Sequence, residues 1–231
     1  TWPSLEDQWL DGWLLRAGGG VTRRSNSASV VDADGPAVDL DERIDEIEDW
    51  FRARRLPPIF RLTVLADPAV DARLDERGYR RELGAIIMTR EVGVPPQSPP
   101  LVDLAESPSE GWLELMAREP GRGGEHRPVL ERMLRRIELP RRYARIDADG
   151  ETAAIGLGVL DSEHLAVFMM QTSAELRRGG LGKRIAESLI EWAIGEGAQQ
   201  VFLQVHPANH GALGFYRALG FQPRYEYWYR Q

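Results

Sequence analysis

The stretch LAVFMMQTSAELRRGGLGKRIAESLIEW, Leu165 to Trp192, decides the fold. Leu165 to Met170 is an apolar run that reads as a strand. Arg177-Arg178-Gly179-Gly180-Leu181-Gly182 reads as a polar loop, and Ile185, Leu189, Trp192 and Ala193 then recur as one face of a helix. A strand, glycine loop and helix in that order aim several backbone N–H groups and the positive end of a helix dipole at one spot. Glycine lets an anion approach the main chain. The first reading is therefore a site for a phosphate-bearing ligand. The plainer alternative is that a glycine turn before a helix is only a turn.

Spacing separates the known phosphate loops. A P-loop requires Gly-x-x-x-x-Gly-Lys-Ser/Thr, but the first position here is Arg177 and Gly182-Lys183 is followed by Arg184. A dinucleotide loop requires Gly-x-Gly-x-x-Gly, and after Gly180-x-Gly182 the third position is Ile185. What fits is Arg177-x-x-Gly180-x-Gly182. Downstream of it lies Asn209-His210-Gly211-Ala212-Leu213-Gly214-Phe215-Tyr216-Arg217-Ala218-Leu219-Gly220-Phe221. The first resembles the arginine/glutamine-x-x-glycine-x-glycine signature of the GCN5-related N-acetyltransferase superfamily. The second is similar to the family's Asn-x-x-Ala-x-x-Phe-Tyr-x-x-x-Gly-Phe segment. Two motifs in the right order, separated by one helix and one strand, make residues 101 to 231 resemble a full domain of that superfamily.

The resemblance implies an α/β acyl-CoA N-acyltransferase fold, with a mixed, mostly antiparallel central sheet flanked by helices, and acetyl-CoA as co-substrate. It implies that the pantetheine arm pairs like an added strand with backbone near Met170, Gln171 and Thr172. The arm would lie where this strand splays from the one at Gln200 to Val205, with Asn209 beside it. The N–H groups of Arg178, Gly179, Gly180, Leu181, Gly182 and Lys183, in the loop that Arg177 opens, suit the pyrophosphate of coenzyme A. The helix dipole adds about 0.5–1 kcal/mol in exposed geometry. At Gly180 and Gly182 a side chain would block close approach.

Tyr216 is the residue assigned to chemistry. Attack of an amine on the thioester expels a thiolate, and a phenol within hydrogen-bond reach donates a proton to it. On spacing alone, Phe215 and Tyr216 read equally well as core aromatics of a short helix. The base for the acceptor amine stays open among Glu163 and His164 at the start of the central strand, His206 at the end of the next, and water. His206 and His210 are four apart, but Pro207 and a strand end separate them, so no metal site is expected.

Outward from this stretch, Trp9 to Val31 reads as a hairpin turning at Gly18-Gly19-Gly20. A helix follows, capped by Asp39 or Asp41 and running to about Arg54. Strands at Ile59 to Val64 and Ala85 to Val92 flank a short helix from Asp67 to Arg77. Val94-Pro95-Pro96-Gln97-Ser98-Pro99-Pro100 admits neither helix nor interior strand and reads as a linker. The expected division is residues 1–93, 94–100 and 101–231. Beyond the linker come a strand from Leu101 to Ala105, a helix capped by Ser107 or Ser109, and a bend at Gly121 to Gly124. A second helix then leads into strands at Tyr143 to Ile146 and Thr152 to Leu160, joined by Asp149-Gly150.

The two halves share landmarks at one offset. Trp50 and Trp192, Phe60 and Phe202, and Gly78 and Gly220 each lie 142 positions apart. The first half therefore reads as a truncated copy of the second, and as one without its chemistry. Positions 35–40 stand where 177–182 would map and lack the arginines and the Gly-x-Gly, and Leu74 stands for Tyr216.

Composition bounds the rest. The chain of 231 residues is 42% hydrophobic and 28% charged, with a formal net charge of −7. That acidic balance argues against nucleic acid as a partner, and the arginines, spread among acids, read mostly as solvated surface. No apolar run is long enough for a membrane span and nothing reads as a signal peptide, so a cytoplasmic protein is expected. Without cysteine there is no thiol to carry an acyl group, and direct attack in a ternary complex is the expected route. The acceptor is expected to be a small-molecule amine, polyamines and aminoglycosides being candidates on charge. The chain is expected to be a monomer with an internal pseudo-dimer or a homodimer. The competing class is a non-catalytic coenzyme A-binding or regulatory module of the same fold. Trp2, Trp9 and Trp13 are read as core or domain-packing residues, with an acceptor-pocket role as the alternative.

Overall fold

In the computed structural model, residues 2–31, 39–93 and 102–231 are described. The proline-rich segment 94–100 and positions 35–38 lie outside the described residues. Strand β1 (Glu6–Leu10) pairs antiparallel with β2 (Trp13–Ala17), Leu10 opposite Trp13. Asp11 and Gly12 make the turn, both with positive φ, 39° and 81°. Asp-Gly is the residue pair that a two-residue hairpin turn favours, and it makes a hairpin the sequence reading did not expect. The expected one is also present: Trp13–Ala17 pairs antiparallel with the strand Ala28–Val30, Leu15 opposite Ala28. The glycine run in the loop between them wraps around Asn26, whose Oδ1 accepts from the N–H of Gly18 at 2.8 Å and of Gly20 at 2.9 Å.

The next strand, β3 (Ala28–Val30), is followed by α1 (Leu40–Ala53). Asp39 caps α1 by accepting from the N–H groups of Asp41 and Glu42, and Ile44, Ile47, Trp50 and Phe51 are buried on its inner face. Then come β4 (Phe60–Thr63), α2 (Pro68–Glu76) and β5 (Arg81–Glu91). The second half runs β6 (Asp103–Ala105), α3 (Glu110–Ala117), α4 (His126–Arg135), β7 (Arg141–Ala148) and β8 (Glu151–Asp161). It continues with β9 (His164–Thr172), α5 (Leu181–Gly195), β10 (Gln200–Val205), α6 (His210–Ala218) and β11 (Gln222–Arg230). Shifted by 142 positions, Pro68–Glu76 falls on the bounds of α6, and Leu40–Ala53 falls within those of α5.

Among the described residues the strands form one sheet in the order β1-β2-β3-β4-β11-β5-β10-β9-β8-β7-β6. Only β3 with β4 and β9 with β10 run parallel. The fold is thus a mixed α/β sandwich of helices on a mostly antiparallel sheet. Strand β8 is buried from Ala153 to Leu160 because both its faces are covered. Ile155, Leu157 and Val159 face α3 and α4, with Trp112, Leu130 and Met133. Ala154 and Leu160 face α5 and α6, with Ile185, Leu189 and Leu213. Gly156 and Gly158 face the same way as Ala154, and an added Cβ at Gly156 would stand 2.6 Å from Ile185 Cγ2. Glycine there is what lets α5 lie close on the sheet.

At the middle of the sheet the final strands are exchanged. Strand β5 pairs with β10, Ile86 opposite Val205, while β11 pairs with β4, Arg230 opposite Phe60. The two final strands also pair with each other, and Gly84 admits Tyr227 so closely that an added Cβ would be 2.3 Å from its carbonyl oxygen. Buried Arg230 locks the exchange. Its Nε donates to Asp71 Oδ1 at 2.9 Å and its Nη1 to the carbonyl of Tyr79 at 2.9 Å, and the Trp228 indole also donates to Asp71 at 2.8 Å.

Candidate active site

The parallel pair β9 and β10 is hydrogen-bonded only at its start, where His164, Leu165 and Ala166 face Gln200, Val201 and Phe202. From there β10 stays with β5 and β9 stays with β8, so the two strands part. A bulge lies at the parting. Leu157 opposes Phe168 but Ile155 opposes Gln171, which gives β9 one extra residue, and Met169 takes φ of 52°. The Gly156 carbonyl, at the break in this ladder, accepts from the Trp112 indole at 3.2 Å. The bulge turns the last three residues of β9, Met170, Gln171 and Thr172, along an open gap.

Past β9 the chain passes Arg177 in extended conformation, Arg178 at φ 66° and Gly180 at φ 80°, then enters α5. No side chain caps α5, whereas Asp39 caps α1, Ser109 caps α3 and Asn209 caps α6. The first-turn N–H groups of α5 are therefore left to a ligand or solvent, while a carboxylate already occupies the matching end of α1. The two loop glycines differ in role from the sequence expectation. Gly180 has nothing within 4 Å of an added Cβ, and its requirement is the positive φ. At Gly182 an added Cβ would meet Phe215 at 3.5 Å, an ordinary contact, so what it would cost is cavity space.

A cavity of about 930 Å³ lies against this junction. Met170, Gln171 and Thr172 line it from β9, Arg177, Arg178, Gly180, Leu181, Gly182 and Lys183 from the loop and first turn, and Asn209 and Tyr216 from the far side. Gly179 does not line it and sits against the Leu176 carbonyl. Asn209 Oδ1 accepts from the Ala212 N–H at 3.0 Å, so the side chain that faces the cavity also starts α6.

A second cavity of about 250 Å³ opens from the other side of the same gap. Glu119, Met170, Asn209, Ala212 and Tyr216 line both cavities. Tyr216 is 8% exposed, packed edge-on against Phe215 and Phe221, and burial pushes its phenol above the ordinary value. At neutral pH it carries its proton, as an acid must.

The base candidates separate in space. Glu163 and His164 line a different cavity at the opposite end of β9, six strand residues or roughly 20 Å from Met170. His206 lines the smaller cavity, but its Nδ1 accepts from the Ala208 N–H at 3.2 Å. The histidine lone pair is engaged by its own loop.

Sequence reasoning missed three charged residues here. Glu119 and Arg122, from the bend after α3, and Arg24, from the loop before β3, line the smaller cavity with Trp2 and Thr22. Arg24 lies 5.3 Å from the Trp2 ring and 5.5 Å from that of Phe168. Burial lowers the affinity of both arginines for their proton. Arg61 adds to this at Arg24, and Arg24 adds to it at Arg122, where Glu119 opposes it. The expectation that the arginines are mostly solvated thus fails at these two, and also at buried Arg43 and Arg230. The available signal was Glu119-Pro-Gly-Arg122, a charged pair inside a glycine-rich bend. Of the three early tryptophans, Trp2 reaches the cavity, Trp13 is core and Trp9 is 63% exposed. No group of three metal-ligating side chains converges among the described residues.

The sheet, the parted parallel strands and the open loop-helix junction define the fold class of the GCN5-related N-acetyltransferases. A structure from Kribbella flavida described as a GCN5-related N-acetyltransferase superposes over 98% of this chain and 89% of its own, with a TM-score of 0.69 at 19% identity. A tandem GNAT protein from the clavulanic acid biosynthesis pathway covers 94% of this chain and 77% of its own, with a TM-score of 0.60 at 19% identity. These likenesses are of fold. The chain belongs to the family described as "Probable histone acetyltransferase Rv0428c C-terminal", whose model matches residues 1–230. "Uncharacterized N-acetyltransferase YobR" of Bacillus subtilis is 26% identical over 236 aligned residues, covering 100% of this chain and 94% of its own length. "Probable histone acetyltransferase Rv0428c" of Mycobacterium tuberculosis is 29% identical over 96% of this chain and 67% of its own length. Among the described residues no helix is long and apolar enough to cross a membrane.

Proposed function

We propose that this chain is an acetyl-CoA-dependent N-acetyltransferase that passes the acetyl group directly to a small-molecule amine. The observation that carries the reading is the meeting of two cavities at Tyr216, one against the uncapped start of α5 and one against the first half of the chain. In this reading the N–H groups from Arg178 to Lys183 hold the coenzyme A pyrophosphate. The free edge of β9 at Met170 to Thr172 aligns the pantetheine arm, with Asn209 beside it. The amine nitrogen attacks the thioester carbonyl from the smaller cavity. As the C–S bond breaks, Tyr216 gives its proton to the departing sulfur, and bulk water reprotonates the phenol. Glu119 stands at the junction and accepts the amine proton, directly or through one water, a role that Glu163 and His164 are too remote to fill.

Residues 1–93 are read as a truncated, cofactor-less copy and residues 101–231 as the catalytic domain, joined through 94–100. The coincidence of helix bounds at an offset of 142 supports this, as does the carboxylate cap on α1 where α5 is open. The first half then serves as a wall of the acceptor site through Trp2, Thr22 and Arg24.

Calorimetric titration of the full chain with coenzyme A tests the cofactor side. One site per chain is expected, and it should be lost or weakened when Gly182→Val fills the space beside Phe215. Two sites, or one that Gly182→Val leaves intact, would place the cofactor elsewhere.

A further inference from the structure

The smaller cavity holds more positive charge than the chain neutralises. Arg24 and Arg122 both line it, and Glu119 is the one carboxylate among its lining residues. Neither arginine is in a salt bridge within 4.0 Å among the described residues. The Nε and Nη1 atoms of Arg24 are shut off from solvent with no hydrogen-bond partner. Arg61, whose charge acts on Arg24, likewise has its Nε buried with no hydrogen-bond partner. A buried guanidinium without an anion is costly to keep, and its planar fork matches a carboxylate. The rings of Trp2 and Phe168 fix Arg24 from the side, so its position is set before any ligand arrives.

We propose that the acceptor is a small amine bearing a carboxylate, which Arg24 and Arg122 bind while its amine lies toward Glu119 and Tyr216. The inference rests on the acetyltransferase reading above and replaces the cationic acceptors that net charge alone suggested. A cavity of about 250 Å³ holds an amino-acid-sized head rather than a folded surface. A lysine-rich peptide would bring further positive charge to a site that already has an excess.

The test measures thiol release from acetyl-CoA with amines paired to differ only in the carboxylate: 4-aminobutyrate against butylamine, and phenylalanine against phenethylamine. A lysine-rich histone-tail peptide is run beside them. In parallel, the coenzyme A-loaded chain is titrated calorimetrically with N-acetylphenylalanine and with N-acetylphenethylamine. The carboxylate-bearing member should be favoured about tenfold or more in kcat/KM or in affinity. That preference should collapse in Arg24→Met and in Arg122→Gln, with coenzyme A affinity reporting that each variant is folded. Equal use of both members, preference for the decarboxylated amine or the peptide, or a preference that survives both substitutions would overturn the proposal. So would a chain that binds coenzyme A but neither binds nor acetylates any of the acids. A chain that fails to bind coenzyme A overturns the acetyltransferase reading itself.

Discussion

In the proposed reaction, Tyr216 is the residue on which the chemistry turns. Removing its hydroxyl in Tyr216→Phe keeps the ring packing with Phe215 and Phe221 and takes away the proton. The turnover number should fall by about 10²–10⁴ with little change in coenzyme A affinity, as read by stopped-time thiol assays and calorimetry. Burial raises the phenol above its ordinary value near 10, so its protonated form persists as pH rises. The alkaline limb of kcat should therefore stay flat through about pH 10, and a loss of activity centred there would contradict the environment described. That Tyr216 and Asn209 meet at one cavity was legible because they sit in a motif whose spacing is fixed by one helix. Arg24, Glu119 and Arg122 were not, because each reaches the cavity from a different loop, and only tertiary packing makes them neighbours.

At the scale of the element, the α5 junction shows what a missing cap does. Asp39, Ser109 and Asn209 each close a helix with their own oxygen, and Gly180 leaves α5 open at φ 80°. Gly180→Ala would force a side chain into a left-handed conformation, at about 1 kcal/mol or more. The variant should lose thermal stability by a few degrees and bind coenzyme A several-fold more weakly. An unchanged dissociation constant would show that the loop geometry is incidental. The strand, loop and helix of this junction were readable because hydrophobic period and glycine position agree there. The expected hairpin across Gly18-Gly19-Gly20 exists as β2 with β3, but the tighter one at Asp11-Gly12 was missed because three glycines outweighed that pair in the reading, although both stretches supply consecutive positive φ angles. The bulged residue Met169 is not a glycine; the glycine lies across from it on β8, at Gly156, whose carbonyl takes the Trp112 indole, and no local pattern in β9 announces it.

In the whole molecule, the pairing of β5 with β10 and of β11 with β4 ties the segments before and after the proline-rich stretch together. The offset of 142 aligns three landmark pairs in the sequence, yet nothing in the pattern of either strand says which neighbours it takes. Chain lacking residues 1–93 would leave β10 without β5 and the smaller cavity without Trp2 and Arg24. Such a truncation should aggregate or lose cooperative unfolding, and a soluble, active fragment would contradict the walling role. Asp71, which accepts from both Arg230 and Trp228, ties β11 to α2, and its pKa is depressed chiefly by the Arg230 hydrogen bond. A depressed carboxylate contributes stability at pH above its unfolded value near 3.9 and loses it as pH falls through the lower folded value. Arg230 keeps Asp75 and the Tyr79 carbonyl as partners, so Asp71→Ala should cost about 1–3 kcal/mol at neutral pH, as chemical denaturation would show. It should also remove part of the acid-induced loss seen in the parent chain. The central claim is tested most directly in one turnover: the chain is saturated with acetyl-CoA, mixed with an amino carboxylate, and followed for free thiol, with Tyr216→Phe alongside. The account predicts that both proteins bind acetyl-CoA equally, and that the parent releases thiol while the variant does so about 10²–10⁴ times more slowly. Equal rates in the two proteins, or no thiol from a parent chain saturated with acetyl-CoA, would contradict it.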